Sequence, residues 1–257
     1  MNFMLKIMNL TKNYGDKKAV DNLSLEINGG EIYGFIGPNG AGKTTTIKSL
    51  VGILKFDEGE ITLGETDIKK DPLAFKRKIA YIPDNPDLYD YMTGMQYLEF
   101  IGNVFKIPQD EMKSSINKYA DAFEILGNLG DLISSYSHGM KQKLAIISAL
   151  IHKPKIIIMD EPFVGLDPKA AYVLKCEMHE ICKAGGAIFF STHVLDVAQK
   201  LCNKIAIIKD GKLIVSGKTE EVLGDKSLEQ IFLEQEGVNI SNANPINNFV
   251  ADGSEVK

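Results

Sequence analysis

The most constraining stretch of the chain covers residues 32–50, where an apolar run leads into glycines, a lysine and threonines. The segment reads IYGFIGPNGAGKTTTIKSL. This pattern predicts a strand, a glycine-rich loop and the start of a helix, which is the context of a phosphate-binding loop. Glycines let the backbone approach a polyanion closely, and the helix adds the positive end of its dipole. The sequence therefore predicts a nucleotide phosphate site here.

Two side chains of this loop have distinct predicted roles. We expect the Lys43 ammonium to reach the β- and γ-phosphates and the Thr44 hydroxyl to contact Mg²⁺. The loop residues expected to bind the nucleotide are Gly37, Pro38, Asn39, Gly40, Ala41, Gly42, Lys43, Thr44 and Thr45.

Composition indicates a globular protein with a sizeable core, because 44% of the 257 residues are hydrophobic. The 29 basic and 34 acidic residues give a net charge of −5, and no run of five basic residues occurs. This balance disfavours a nucleic-acid partner. The three cysteines form no CxxC pair, so we expect reduced, partly buried thiols in a cytosolic protein.

No segment is predicted to enter a membrane. The first residues lack a basic stretch followed by a long apolar one. The longest apolar segment, residues 144–151, is far too short to span a bilayer. Any membrane role is therefore expected to come through a partner.

Two kinds of strand pattern predict an α/β fold. Residues 4–10 and 19–27, with 61–63 as a weaker candidate, alternate apolar and polar positions as half-buried antiparallel strands do. Short continuous apolar runs with helical segments between them are typical of parallel strands buried on both faces. These runs cover residues 32–36, 79–82, 156–159 and 187–190.

A region from about residue 87 to 152 is predicted to be a helical subdomain inserted into the α/β core. Thr93 and Gln96 fit a capping box at the start of its first helix, and Ser137 is a cap candidate for its last. The apolar stripe of the first helix is predicted at Tyr97, Ile101, Val104 and Phe105.

The C-terminal part combines three different patterns. Residues 204–216 contain two alternating runs around Asp210-Gly211, which predict a β-hairpin. Residues 220–236 are helix-prone. Residues 237–257 are rich in asparagine and poor in large apolar groups, so we expect a flexible tail.

An acidic pair follows the third parallel run. Asp160 and Glu161 stand where the strand ends, so we expect Asp160 to hold Mg²⁺ and Glu161 to turn toward the γ-phosphate. There Glu161 would orient or deprotonate water. Alone, the pair also fits an ordinary acidic loop; together with the phosphate loop it favours the metal site.

Five motifs follow one another along the chain: residues 37–45, YSHGMKQ at 136–142, IIIMDE at 156–161, GLD at 165–167 and STH at 191–193. In this order and spacing they resemble the nucleotide-binding subunit of ATP-binding cassette (ABC) transporters, over roughly residues 4–220. YSxGMKQ and SLEQIFLE resemble the export-type branch. The resemblance implies a P-loop NTPase in residues 1–236, with a RecA-like parallel-sheet core, an N-terminal antiparallel β subdomain and the inserted helices.

The resemblance also implies roles outside the phosphate loop. Tyr14 stands where an aromatic ring stacks on adenine, with a plain surface tyrosine as the alternative. Ser137 and Gly139 match signature residues that face the γ-phosphate of ATP held by the other subunit. His193 matches a histidine that contacts the γ-phosphate. The expected catalytic residues are Glu161, His193 and Lys43.

Three positions depart from the family pattern. His138 and Met140 stand where the signature usually has glycine and glutamine, which indicates a relaxed signature. Asp84 replaces a glutamine that contacts Mg²⁺ and the attacking water. We expect Asp84 to sense Mg²⁺ through water, so the predicted metal-binding residues are Thr44, Asp160 and Asp84.

An apolar and aromatic cluster precedes the first helix of the insertion, at Leu88, Tyr89, Tyr91 and Met92. In the family this junction receives a short cytoplasmic helix of the transmembrane subunit, and an apolar groove suits such docking. Burial in the subdomain core is the alternative for each of these residues.

The resemblance thus implies a subunit that binds and hydrolyses ATP with Mg²⁺ to power a membrane transporter, with export favoured. Two such subunits, identical or different, would close over two ATP molecules. Separately encoded permease subunits would recognise the cargo and hold the cytoplasmic chain at the inner face of the membrane.

Two other functions are consistent with an ATP-binding cassette. One is a soluble ATPase acting on ribosomes or DNA, which the acidic balance and the single cassette disfavour. The other is a regulatory module that holds ATP without turnover, which the presence of Glu161 and His193 disfavours.

Overall fold

The computed structural model describes residues 4–235 of the chain. Its strands are β1 (Met4–Tyr14), β2 (Lys17–Asn28), β3 (Ile32–Ile36), β4 (Glu58–Leu63), β5 (Thr66–Asp67), β6 (Ile79–Ile82), β7 (Ile156–Asp160), β8 (Ala187–Thr192), β9 (Lys204–Lys209) and β10 (Lys212–Lys218). Its α-helices are α1 (Lys43–Leu50), α2 (Pro72–Lys76), α3 (Gly94–Val104), α4 (Gln109–Ala122), α5 (His138–Leu150), α6 (Pro168–Lys183), α7 (Leu195–Leu201), α8 (Thr219–Leu223) and α9 (Leu228–Gln235), with short 3₁₀ turns at Leu126–Asn128 and Ile133–Ser135.

A parallel sheet forms the centre of the molecule, with the strand order β10-β9-β3-β8-β7-β6 and only the β9–β10 hairpin antiparallel. Its apolar strands are buried on both faces, which is why β3 and β7 read as continuous apolar runs. On one face, Tyr33, Phe35 and Phe189 pack with residues of β1, β2 and α1. On the other, Met159 and Phe190 pack with the helices that follow β6 and β7.

The N-terminal sheet has the order β2-β1-β4-β5 and is antiparallel throughout. β1 and β2 join through a tight turn at Gly15 and Asp16, so Tyr14 pairs with Lys17 at the tip of the hairpin. Apolar side chains on alternate positions, such as Leu5 and Ile7, enter the core. The predicted α/β fold class, with a parallel core and an antiparallel β subdomain, is confirmed.

Helices α3, α4 and α5 lie between β6 and β7 in the chain, and α3 starts with the expected capping box of Thr93 and Gln96. The predicted apolar stripe on α3 is wrong in part. Val104 is 57% exposed, whereas Gly94, Leu98 and Gly102 form the buried face.

The reason is that α3 packs closely through glycines, which a count of apolar side chains overlooks. A Cβ at Gly102 would lie 2.0 Å from Met112 Sδ, and one at Gly94 would lie 2.3 Å from the Tyr136 hydroxyl. The spacing of four residues places Gly94, Leu98 and Gly102 on one helix face.

The C-terminal segment starts with the predicted hairpin and continues as two short helices rather than one. Gly224, with φ of 51°, ends α8, and α9 begins at Leu228. The expected tail at residues 237–257 lies outside the described residues. Cys176, Cys182 and Cys202 are free thiols, the latter two buried. Within residues 4–235, no helix is long and apolar enough to cross a membrane.

Replacement of Leu98 and of Val104 by alanine distinguishes the observed face of α3 from the one predicted by periodicity. Leu98→Ala should lower the free energy of unfolding by about 2–5 kcal/mol, because it leaves a cavity in the core. Val104→Ala should change it by less than about 0.5 kcal/mol, because the side chain is exposed. Urea denaturation measures both values, and equal losses would contradict this orientation of the helix.

Candidate nucleotide site

A cavity of about 390 Å³ lies beside α1 at the carboxyl ends of β3 and β7. It gathers most of the predicted nucleotide and metal residues, together with two residues of β2 that were not predicted. The lining residues are Tyr14, Lys17, Ala19, Pro38, Asn39, Gly40, Gly42, Lys43, Thr44, Thr45, Asp84, Asp160 and Glu161. Gly37, Ala41, His193, Ser137 and Gly139 do not line it.

The phosphate loop is held by close backbone contacts that require glycine at two positions. Gly42 has φ of 105°, and a Cβ there would lie 2.4 Å from the carbonyl oxygen of Ala19. A Cβ at Gly37 would lie 2.4 Å from the carbonyl oxygen of Ile208. Gly37 and the buried Ala41 therefore lie on the side of the loop that packs against the core. Helix α1 starts at Lys43, so its N-terminus faces the cavity.

The Lys43 ammonium lies over the loop. It donates to the carbonyl oxygens of Gly37 at 2.6 Å and Pro38 at 3.2 Å, and it lies 3.8 Å from Glu161 Oε1. Burial lowers the pKa of Lys43, and the charges of Glu161 and Asp160 oppose that shift. The site thus presents a positive charge next to carboxylates, which suits a polyanion that carries its own cation.

Asp160 is a buried carboxylate with one oxygen occupied. It is the last residue of β7 and is 1% exposed. Its Oδ1 accepts a hydrogen bond from the Ser191 hydroxyl, whereas Oδ2 is buried with no hydrogen-bond partner in the described part of the chain. A buried carboxylate oxygen costs free energy unless a donor or a cation satisfies it. Asp160 therefore offers one oxygen ligand at the cavity.

Glu161 turns away from the strand because its backbone is left-handed, with φ of 47°. Its N–H donates to the carbonyl oxygen and the hydroxyl of Ser191, each at 3.2 Å. Its Oε1 lies 2.9 Å from Nδ1 of His193, which follows β8 and has a half-exposed side chain. Non-glycine residues with this φ are uncommon and cluster at functional sites. The turn brings Glu161 between Lys43 and His193.

Tyr14 supplies an exposed aromatic ring at the rim of the cavity. It ends β1 and is 51% exposed, and the Lys12 ammonium lies 5.6 Å from the ring centroid. Lys17, across the hairpin, also lines the cavity. An exposed flat ring beside basic side chains is suited to stacking with a base next to phosphates.

Asp84 reaches the cavity from the loop after β6. Its side chain is exposed and accepts a hydrogen bond from the N–H of Asn85 at 2.9 Å. Within residues 4–235, no three His, Cys, Asp or Glu side chains are arranged to hold a metal ion. Asp84, Asp160 and Glu161 thus share the cavity without forming a carboxylate cage.

The signature motif lies away from the cavity, at the N-terminus of α5. Ser137 is exposed and caps this helix, accepting from the N–H of Met140 at 3.3 Å. A Cβ at Gly139 would lie 2.8 Å from the carbonyl oxygen of Gly165, and the His138 ring lies against that same glycine. The motif is therefore packed tightly onto the loop after β7.

A family model described as ABC transporter matches residues 20–164. The chain belongs to the ABC transporter family. It is 32% identical to the ABC-type transporter ATP-binding protein EcsA of Bacillus subtilis, over 90% of this chain and 96% of that protein. It is 33% identical to the linearmycin resistance ATP-binding protein LnrL of Bacillus subtilis, over 89% of this chain and 74% of that protein.

Solved structures give the same result. An ATP-binding subunit of an ABC transporter superposes with a TM-score of 0.87 and 29% identity, covering 91% of this chain and 99% of that one. CbiO1 of Clostridium perfringens, part of the ABC transporter complex CbiONQ, gives 0.74 and 27%, covering 92% and 100%. The expected membership among ABC transporter ATP-binding subunits is confirmed, and this ABC ATPase binds ATP.

Ser191 is a further site residue that sequence reasoning missed, besides Lys17 and Ala19 of β2. Its hydroxyl donates a hydrogen bond to Asp160 Oδ1. Its hydroxyl and carbonyl oxygens both accept from the N–H of Glu161. The serine lies inside the STH motif, but only the histidine of that motif received a predicted role. A buried serine has no pattern of its own in a sequence, because its partners come from another strand.

Ser191→Ala should lower the free energy of unfolding of this ABC ATPase by about 1–3 kcal/mol, because Asp160 Oδ1 loses its donor while it stays buried. Ser49→Ala is a matched control, since Ser49 is equally buried but, among residues 4–235, donates to the Thr45 carbonyl of its own helix and to no carboxylate. The control should cost less than about 1 kcal/mol. Thermal or urea unfolding at neutral pH measures both, and equal losses would refute a role for Ser191 in holding the carboxylate.

Proposed function

We propose that this chain is the ATP-hydrolysing subunit of an export-type ABC transporter, working as one of a pair of subunits that close over ATP. The observation that carries the proposal is the position of Glu161. One of its oxygens lies 2.9 Å from His193 and 3.8 Å from Lys43, at the edge of the cavity formed by the phosphate loop. The carboxylate of Glu161, the ammonium of Lys43 and the phosphate loop are therefore adjacent to one another.

Each group has a part in the transfer of the γ-phosphoryl group to water. The loop N–H groups and Lys43 bind the β- and γ-phosphates. Glu161 accepts a proton from the attacking water while the water oxygen bonds to the γ-phosphorus. The bond between the γ-phosphorus and the β,γ-bridging oxygen breaks, which leaves ADP and phosphate. In this proposal His193 holds the Glu161 carboxylate in place and contacts the γ-phosphate of the bound nucleotide.

The donors around the cavity fit Mg²⁺. Asp160 Oδ2 is a buried oxygen without a partner among the described residues, and the Thr44 hydroxyl and Asp84 line the same cavity. Mg²⁺ prefers oxygen ligands and is commonly held by one or two carboxylates together with substrate phosphates. When bound, Mg²⁺ neutralises charge on the β- and γ-phosphates. We propose Asp160 and Thr44 as its direct protein ligands, with Asp84 acting through water.

A second subunit completes the site in this proposal. Ser137 and Gly139 lie outside the cavity of their own chain, and Ser137 is exposed at the N-terminus of α5. A helix N-terminus with free N–H groups binds anions such as phosphate. Each of the two ATP molecules would thus contact the phosphate loop of one chain and the signature motif of the other.

Export is supported by one sequence segment and by one relative. The segment SLEQIFLE, residues 227–234, resembles the export-type branch and lies mostly in α9. The name of LnrL attributes linearmycin resistance to that relative, and export of a compound from the cell is one way to resist it.

In the same proposal, residues 1–236 form the ATPase domain and residues 87–152 form its inserted helical subdomain.

An exposed aromatic surface before α3 is the proposed contact with the permease. Tyr91 is 75% and Tyr89 44% exposed, and their rings stack 5.8 Å apart, with Phe100 at the edge of Tyr89. Leu88 and Met92 instead pack against the core. Exposed aromatic clusters mark interaction sites. Binding there would place the chain at the cytoplasmic face of the membrane.

Glu161→Gln should lower the rate of phosphate release by at least about 100-fold, because glutamine cannot accept the proton. ATP binding should persist, since Glu161 does not form the phosphate cradle. With ATP present, the variant should elute as a dimer in size-exclusion chromatography and as a monomer without ATP.

Glu111→Gln is the control for that experiment, because Glu111 is an exposed glutamate of α4 that pairs with Lys153 and does not line the cavity. It should leave turnover unchanged. Persisting phosphate release in Glu161→Gln would refute the assignment of the base. ATP binding without dimer formation would refute closure of two copies of this chain and leave a second, different cassette as the partner to be tested.

A chain with Tyr89 and Tyr91 both changed to alanine should lose its association with the membrane fraction by about 10-fold or more, because aromatic anchors dominate such interfaces. Its basal ATPase rate should stay unchanged. Tyr172→Ala, at a 69% exposed tyrosine of α6, should have no effect. Quantitative immunoblotting of membranes, with identification of the integral membrane protein that co-purifies, measures the association. Undiminished binding of the double variant would exclude this surface.

A further inference from the structure

Tyr81 lies on the sheet face that packs against α1, beside the strand that ends in Asp160. It belongs to β6 and pairs in register with Ile158 of the parallel neighbour β7. Side chains two residues apart on a strand point to the same face, so Asp160 shares the face of Ile158 and therefore that of Tyr81. Asp160 lies two residues closer to the carboxyl end of the sheet. The same face carries Ile47 of α1, the helix that follows the phosphate loop. The side chains of Tyr81 and Asp160 therefore share one face of the sheet, although Tyr81 does not itself line the cavity.

The Tyr81 hydroxyl is buried and has no hydrogen-bond partner in residues 4–235. Other buried tyrosines of this chain are satisfied by protein groups. The Tyr33 hydroxyl lies 2.6 Å from Ser216 Oγ, and the Tyr136 hydroxyl donates to the carbonyl oxygen of Asn128 at 2.7 Å. The ring of Tyr81 packs against the core, which phenylalanine would do equally well. Its hydroxyl thus has no structural use within the described chain.

The charges around Tyr81 determine which partner its hydroxyl can have. Burial and the negative charges of Asp160 and Asp84 raise the pKa of Tyr81, so the hydroxyl keeps its proton. Carboxylates only accept hydrogen bonds, and Asp160 Oδ2 is also without a partner among the described residues. A buried donor and a buried acceptor, not bonded to each other, lie on the same sheet face. A water molecule satisfies both when it donates to the acceptor and accepts from the donor.

We propose that Tyr81 is a positioning residue of the phosphate cavity: its hydroxyl donates a hydrogen bond to a water that in turn donates to Asp160, the proposed ligand of nucleotide-bound Mg²⁺. The inference rests on the Mg²⁺ site proposed above and adds a residue to it. Its consequence is specific: the hydroxyl supports metal binding and leaves the binding of metal-free nucleotide unaffected.

The test compares Tyr81→Phe with the wild-type chain by calorimetric titration with ADP, which is not hydrolysed. At saturating ADP, Tyr81→Phe should raise the Mg²⁺ concentration needed for half-saturation about fivefold or more, the loss expected for one hydrogen bond. The affinity for ADP in EDTA should stay within about twofold. The midpoint of thermal unfolding without ligand should not fall, because the hydroxyl has no partner within the described fold.

Tyr33→Phe is the matched control, since it removes a buried tyrosine hydroxyl in the same core that is bonded to Ser216. It should lower the unfolding midpoint and leave the Mg²⁺ requirement unchanged. An unchanged Mg²⁺ requirement in Tyr81→Phe, or an equal loss of affinity in EDTA, would overturn this inference alone. A wild-type chain that binds no nucleotide, with or without Mg²⁺, would overturn the proposed function as well.

Discussion

Burial of the parallel sheet on both faces is the constraint on which the rest of this structure depends. Apolar layers cover β3, β7 and β8 from either side, so their polar chemistry is confined to the carboxyl ends. The register pairs Ile36 with Thr192 and Asp160 with Ser191, which aligns those ends along one edge. Ligands of open parallel sheets bind at this edge for the same reason.

The chemistry of that edge depends on three charged side chains that are largely shielded from water: Lys43, Asp160 and Glu161. Ser191 holds both Asp160 and Glu161, and Lys43 lies between loop carbonyls and carboxylates. In a low dielectric these attractions are strong, and any polar atom left without a partner is costly. The left-handed backbone at Glu161, and the oxygens of Asp160 and Tyr81 that lack a partner among residues 4–235, are such costs. Glu161 and Asp160 line the cavity of this ABC ATPase, where substrate binding can offset these costs.

Sequence patterns predicted local structure correctly where the conformation depends only on residues that are close together in the chain. The strand, loop and helix of residues 32–50 and the capping box of α3 need only neighbouring residues, and both were predicted at the right positions. Periodicity failed on α3 because Gly94 and Gly102, invisible to a hydrophobicity count, are the residues that touch other elements. Lys17 at the cavity and Ser191 behind the carboxylates were missed, since their partners are distant in the chain.

The sequence by itself determined the family, the fold class and the elements that surround the phosphate loop, because these follow from local patterns and from the order of five motifs. Only the tertiary structure decided which groups contact each acidic residue and how deeply each one is buried. Asp160 is held by Ser191, Glu161 turns toward Lys43 and His193, and Asp84 stays exposed. Those differences depend on strand register and burial, which arise when distant strands pair, and no local pattern encodes them.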